Sequence, residues 1–249
     1  AGPANVAPFG DNQFQVFLQP SGAGGNLQPE GTGALRLKVG NNGSLIWQGS
    51  LADGTLLIAS GSLRKTGLAP LHFVYTKGAG SASGLIQLTA DSGPSGNHTV
   101  GGSVRWNRKP STKRVYERGF LQSAVAATGH RYRAPAIGAL SLGASVAVPP
   151  AFNATLTFSG AGLHLAGQRG WEAQACRIEE AGLPVFGTSA VVNPVGLKFT
   201  VYDRTNGVFS GTFTLTDRIG KRVVKFSGLL DEAGRAGKGW FLLPQLPLN

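Results

Sequence analysis

The run 196-GLKFTVYDRTNGVFSGTFTLTDRIGKRVVKFSGLLDEAGRAGKGWFLLP-244 alternates strand-like stretches with turns that carry Gly or Asp. Leu197, Phe199 and Val201 interleave with Lys198, Thr200 and Tyr202, the period of two that a half-buried strand requires. Asn206-Gly207 supplies residues that tolerate positive φ in a tight turn, after which Phe209, Thr212 and Phe213 lead into a second strand. Beyond Asp217 the chain turns through Ile219-Gly220 and returns from Lys221 to Leu230. Consecutive β-hairpins are the simplest fold for this stretch.

The same pattern occurs earlier, in 35-LRLKVGNNGSLIWQGSLADGTLLIASGSLRK-65. Asn42-Gly43 falls on Asn206-Gly207, Asp53-Gly54 falls near Asp217 to Gly220, and Ser60-Gly61 falls on Ser227-Gly228. Turn residues recurring with strand runs between them predict two copies of one supersecondary unit. The expected fold is all-β: an antiparallel meander, barrel-like or sandwich, built from two pseudo-repeated β-hairpin units. Residues 1–31 read as an extended N-terminal arm with one short strand, 32–134 as the first β unit and 135–249 as the second, the two forming one continuous domain. Further strands are expected over 70-PLHFVYTKG-78, 84-GLIQLTA-90, 98-HTVGGSVRW-106, 153-NATLTFSG-160 and 162-GLHLAG-167. The segment 134-APAIGALSLGASVAVPPAF-152 reads as a crossing with strand-like pieces, and Trp171 to Glu180 is the best place for one short helix.

With 249 residues the chain is long enough to bury a substantial core. Hydrophobic residues at 41%, charged residues at 14% and 38 glycines describe an ordered, turn-rich chain and exclude disorder as its ground state. A net charge of +11 makes attraction to polyanions available. No run of 18 apolar residues occurs, so no helix is expected to span a membrane. The lone Cys176 rules out an intramolecular disulfide and reads as a small buried apolar residue. A start at Ala1 and the lack of Met lead to the expectation of a processed protein, extracellular or at the cell surface after signal-peptide removal.

Motifs for catalysis are missing from the sequence. His72, His98, His130 and His164 sit in no recognisable triad pattern, and no G-x-S-x-G occurs. Asp53, Asp203, Asp217 and Asp231 stand where turn chemistry accounts for them, and Glu179-Glu180 point apart in helix or strand. No metal-ligand spacing and no phosphate loop appear, so no metal, no cofactor and no enzyme are expected. What stands out is 105-RWNRKPSTKRVYERGF-120, followed by His130, Arg131, Tyr132 and Arg133. Arg105, Arg108, Lys109, Lys113, Arg114, Arg118, Arg131 and Arg133 are candidate polyanion-binding residues, and Trp106, Tyr116 and Tyr132 candidate stacking rings. In the arm, Phe14, Val16 and Leu18 share one strand face. They read either as the domain's first strand or as an assembly strand that completes a sheet in a neighbouring subunit.

The chain resembles a β-rich repeat region found C-terminally in large secreted or surface proteins of verrucomicrobia and related bacteria. The likeness rests on 49-GSLADGTLLIASGSLRKTGLAPLHFVY-75, on Gly101-Gly102-Ser103 to Trp106, and on 115-VYERGF-120 with Gly129 and Tyr132. It continues through 207-GVFSGTFTLTDRIGKRVVKFSGLL-230 and Gly239-Trp240-Phe241, covering most of residues 31 to 243. The resemblance implies an exported, all-β, non-catalytic module and carries over no catalytic residue. The functional expectation is an extracellular structural or adhesive protein, partnered with itself in an assembly or filament. The alternative is a module for anionic polysaccharide, with nucleic acid behind both because export withholds most such partners.

Overall fold

The structure, a computed structural model, describes residues 8–20, 29, 31–93, 96–110, 118–149, 151–159, 172–189, 192–217 and 220–243. It is all-β and antiparallel. Two compact units divide the chain: Ala1–Arg133 with Lys238–Trp240, and Ala134–Gly237 with Phe241–Asn249.

In the first unit eight strands form one sheet: β1 (Asn12–Pro20), β2 (Gly33–Val39), β3 (Ser44–Ser50), β4 (Leu56–Ser62), β5 (Leu68–Val74), β6 (Gly80–Thr89), β7 (Thr99–Arg108) and β8 (Phe120–Tyr132). Their order is β4-β3-β2-β1-β8-β7-β6-β5, so every hydrogen-bonded neighbour is a chain neighbour except the pair β1–β8. The two end strands, β4 and β5, are joined by a short turn in which the Arg64 N–H donates to Leu68 O at 2.8 Å, and they lie side by side. This is an up-and-down sheet curled into a nearly closed barrel, which leaves little bare edge.

Period-two patterning fills it. Leu35, Leu37 and Val39 of β2 are buried while Arg36 and Lys38 face outward; Val104 and Trp106 of β7 point in while Ser103 and Arg105 point out. Each buried Leu, Val or Phe contributes roughly 1.5–3 kcal/mol of transfer free energy. Both fully buried indoles keep a hydrogen bond, Trp47 Nε1–H to Pro70 O at 3.1 Å and Trp106 Nε1–H to the Tyr75 hydroxyl at 2.7 Å.

The matched turns of the sequence are turns in the structure. Asn42-Gly43 links β2 to β3, with Gly43 at φ 81°. Asn206-Gly207 links β12 (Lys198–Asp203) to β13 (Val208–Asp217), with Gly207 at φ 65°. Each glycine carbonyl then accepts the N–H of a leucine two strands on, Leu63 for Gly43 and Leu230 for Gly207, both at 2.8 Å. The two leucines follow the matched Ser60-Gly61 and Ser227-Gly228 pairs.

Two sheets make up the rest of the described strands. One runs β11-β10-β9, from β9 (Ala154–Thr157), β10 (Ala173–Arg177) and β11 (Val185–Phe186). The other runs β12-β13-β14-β15, completed by β14 (Gly220–Asp231) and β15 (Ala236–Phe241). Phenylalanine fills the second unit: Phe158 packs on Phe213 and Phe226, and Phe199 stacks on Phe186 at 5.5 Å.

Three sequence expectations are corrected. Within the expected arm, Asn12–Pro20 is not a strand for a neighbouring subunit but the first strand of this chain's own sheet, because β1 pairs with β2 along one edge and β8 along the other. A strand with both edges paired has no N–H and C=O row left for another sheet. Phe14, Val16 and Leu18 lie in this barrel's own core. The stretch expected to be helical contains β10, since Gln174 and Cys176 turn inward and Ala173 and Ala175 outward; Trp171 lies outside the described residues. Burial pushes the Cys176 thiol up to about 11.

The crossing segment after Arg133 holds no strand among its described residues. It is pinned instead: the Leu142 N–H, in a 3₁₀ turn at Ser141–Gly143, donates to the Glu232 carboxylate, and the Arg204 guanidinium donates to Ala139 O and Glu180 O. Residues 162–167 lie outside the described residues.

Two predictions follow from these placements. Deleting residues 1–20 is expected to abolish the β-type circular dichroism of the first unit, and Phe14→Ala to cost about 3–5 kcal/mol in urea unfolding. A truncated body that stays folded would show that β1 is dispensable. For Glu232, burial raises the carboxyl pKa above its ordinary value, opposed by the Leu142 N–H and Arg204. The protonated form is therefore favoured on folding, so its stabilising contribution is full at acid pH and lost as pH rises through the raised pKa. Glu232→Gln, which keeps an acceptor for Leu142, is expected to gain stability over the parent as pH rises through that raised pKa, read from thermal unfolding.

Candidate polyanion-binding surface

The basic stretch begins on β7, where alternation sends neighbouring residues to opposite faces. Arg105 is exposed, opposite Ser83 of β6 and Ala124 of β8. Trp106 points inward and is 1% exposed, with its ring edge-on to Phe120 at 4.9 Å. It is a core residue and offers no face to a ligand.

Arg108 is not a surface cation either. Its Nη1 lies 2.5 Å from Asp53 Oδ2, and its side chain is 11% exposed while that of Asp53 is fully buried. The same carboxylate oxygen accepts the Tyr75 hydroxyl at 3.0 Å, and Oδ1 accepts the Thr55 N–H at 2.9 Å. Trp106 donates to Tyr75, so β7, β5 and the β3–β4 turn are tied through one carboxylate. Burial, reinforced by the charge of Asp53, drives the Tyr75 phenol well above its ordinary pKa, which keeps it a neutral donor. Sequence reading explained Asp53 as a turn residue, which the Thr55 bond supports. It missed the other oxygen, whose partners lie 22 and 55 residues away with no local signal.

Lys109 and Arg118 are exposed. Lys113, Arg114 and Tyr116 lie outside the described residues. Arg131 is half-buried and Arg133 exposed, but Tyr132 between them is 7% exposed and does not serve as a stacking platform. Arg131 is seven residues along β8 from Ala124, the partner of Arg105. At about 3.3 Å per residue that separates them by roughly 23 Å. The structure thus divides the described candidates between the two ends of β7–β8, and the described candidate rings, Trp106 and Tyr132, line no groove beside them.

In each unit, turn carboxylates are directed at their own backbones. Asp91 accepts the Gly93 and Asn97 N–H groups, Asp203 those of Thr205 and Asn206, and Asp231 that of Gly234. No group of three or more His, Cys, Asp or Glu side chains among the described residues could hold a metal ion, and no described helix is long and apolar enough to cross a membrane. No protein-family model matches the chain, and neither a curated protein nor a solved structure does.

Breaking the buried pair leaves an uncompensated charge, which typically costs about 3–5 kcal/mol. Arg108→Gln is therefore expected to destabilise the first unit by that order in chemical denaturation. Arg105→Gln, at an exposed position, is expected to change stability by less than about 0.5 kcal/mol. Equal effects of the two would refute the assignment of Arg108 to the fold.

Proposed function

We propose that the protein is a non-catalytic, exported adhesive module that holds anionic polymers, acidic polysaccharide foremost, through exposed cations on a barrel surface. The observation that carries this reading is the distribution of charge. The chain has 23 Lys and Arg against 12 Asp and Glu, and Asp91, Asp203 and Asp231 bond to turn N–H groups while Arg105, Lys109 and Arg118 stand exposed. Such a surface attracts polyanions at long range and releases their counterions on contact. Burial of Trp106 and Tyr132 favours recognition by charge over recognition by ring stacking. The likeness to repeat regions of bacterial surface proteins supports export and an adhesive role. Assembly by exchange of β1 loses its support, since both edges of that strand are paired within the chain.

The test is retention on immobilised heparin across a salt series. The parent is expected to elute at progressively lower affinity as salt rises, each cation in contact adding roughly one to the slope of log K against log salt. Replacing Arg105, Lys109 and Arg118 together by Gln is expected to reduce that slope by up to about three while leaving the circular dichroism spectrum unchanged. An unaltered slope would remove this face from the binding surface.

A further inference from the structure

Strands β3, β4, β5 and β6 contain no Asp, Glu, Lys or Arg, in a chain whose net charge is +11. Alternation gives them an inner face in the core, with Trp47, Leu57, Leu71 and Ile86, and an outer face toward solvent. On that outer face stand Ile46, Leu56, Ile58, Val74 and Leu85, with Leu56 74% and Ile58 71% exposed. Register keeps them together. Ile58 pairs with Gln48, diagonal to Ile46, and Leu85 pairs with Pro70. The Tyr75 hydroxyl, bonded to Asp53, holds the Val74 end of β5 beside the Leu56 end of β4. Single exposed apolar residues are ordinary, but a contiguous group marks an interaction surface. End strands are also usually guarded by charge, and β4 and β5, which no ladder joins, have none.

Cations frame this neutral field. On β2, Lys38 stands opposite Ile46 and Arg36 opposite Gln48; beyond β6, Arg105 stands opposite Ser83. Exposed Lys65 and Lys77 lie in the turns at its two ends. From Gly33 to Arg108 only two acids occur: Asp53, paired with Arg108, and Asp91, which accepts N–H groups of its own turn. The wall of a nearly closed barrel is convex, so β4 and β5 form a crest from which β2 and β7, two strands to either side, fall back. A second copy in an isologous contact would set the same cationic flanks against these, and two convex walls would touch along a line. A lipid surface with anionic headgroups yields to the crest and attracts the flanks.

We propose that the outer wall of β3–β6 docks on an anionic lipid surface, Leu56 and Ile58 entering the acyl boundary while Arg36, Lys38 and Arg105 meet the headgroups. The barrel lies on the membrane and does not span it, because its interior is a packed apolar core and cations interrupt its apolar outer band. This goes beyond the polymer reading, since an acidic polysaccharide offers nothing to Leu56 and Ile58.

The experiment is co-sedimentation of the full chain with vesicles of phosphatidylglycerol and phosphatidylcholine in equal parts, against phosphatidylcholine alone. Binding to the mixed vesicles is expected to exceed binding to the neutral ones by about tenfold or more. Leu56→Thr with Ile58→Thr keeps the charge, and Thr suits a strand. The pair is expected to weaken binding to the mixed vesicles by about tenfold or more, with unchanged circular dichroism and an unchanged heparin slope. Ile58→Trp gives a second readout: a blue shift on the mixed vesicles and quenching by brominated acyl chains beyond that of the parent. Full binding by the Thr pair, or no added quenching of Ile58→Trp, would overturn the proposal while the heparin result for Arg105, Lys109 and Arg118 still stood. A concentration-dependent dimer in light scattering that the Thr pair abolishes would assign the wall to a second copy and likewise overturn it.

Discussion

The ladder between the first strand and the eighth is the interaction on which the first unit depends. Two four-strand meanders, β1–β4 and β5–β8, each close through local turns, and β1–β8 is the hydrogen-bonded seam that joins them. Its residues are remote in sequence: the Thr128 hydroxyl and the Gln19 side chain meet 3.3 Å apart across 109 positions. The seam is also close-fitting, since a Cβ on Gly129 would stand 1.9 Å from Gln15 O. Only glycine lets β8 approach β1 so nearly.

Closure determines the fate of the charges. Once β7 is curved into the barrel wall, Trp106 and Arg108 fall on the inner side and Arg105 on the outer. An arginine brought to the inner side at a barrel end must find a carboxylate, and Asp53 on the β3–β4 turn supplies it together with bonds to Tyr75 and Thr55. The basic stretch is therefore partly a structural device and partly a surface. Arg105 and Arg108, three positions apart in one run, have opposite roles because of strand geometry.

The second unit solves a related problem with different means. Its core relies on stacked and edge-on phenylalanines, and the segment following Arg133 is held by side chains reaching its backbone. Small apolar residues such as those of 134–152 look strand-like in composition. The described ones lie in no strand, and Ala139 O and the Leu142 N–H bond to Arg204 and Glu232 instead.

Local sequence was sufficient for the all-β class, for most strands, and for the Asn42-Gly43 and Asn206-Gly207 turns, because period-two patterning and positive-φ residues act over a few residues. It was also sufficient for a cationic surface, since an excess of Lys and Arg does not depend on the path of the chain. Which of those cations are surface was not legible. That depended on the partner of Asp53 55 residues away and on the inward turn of Trp106 and Tyr132. The place of Phe14, Val16 and Leu18 was open for the same reason: a strand face shows that a residue will be buried, and only closure of the sheet shows against what.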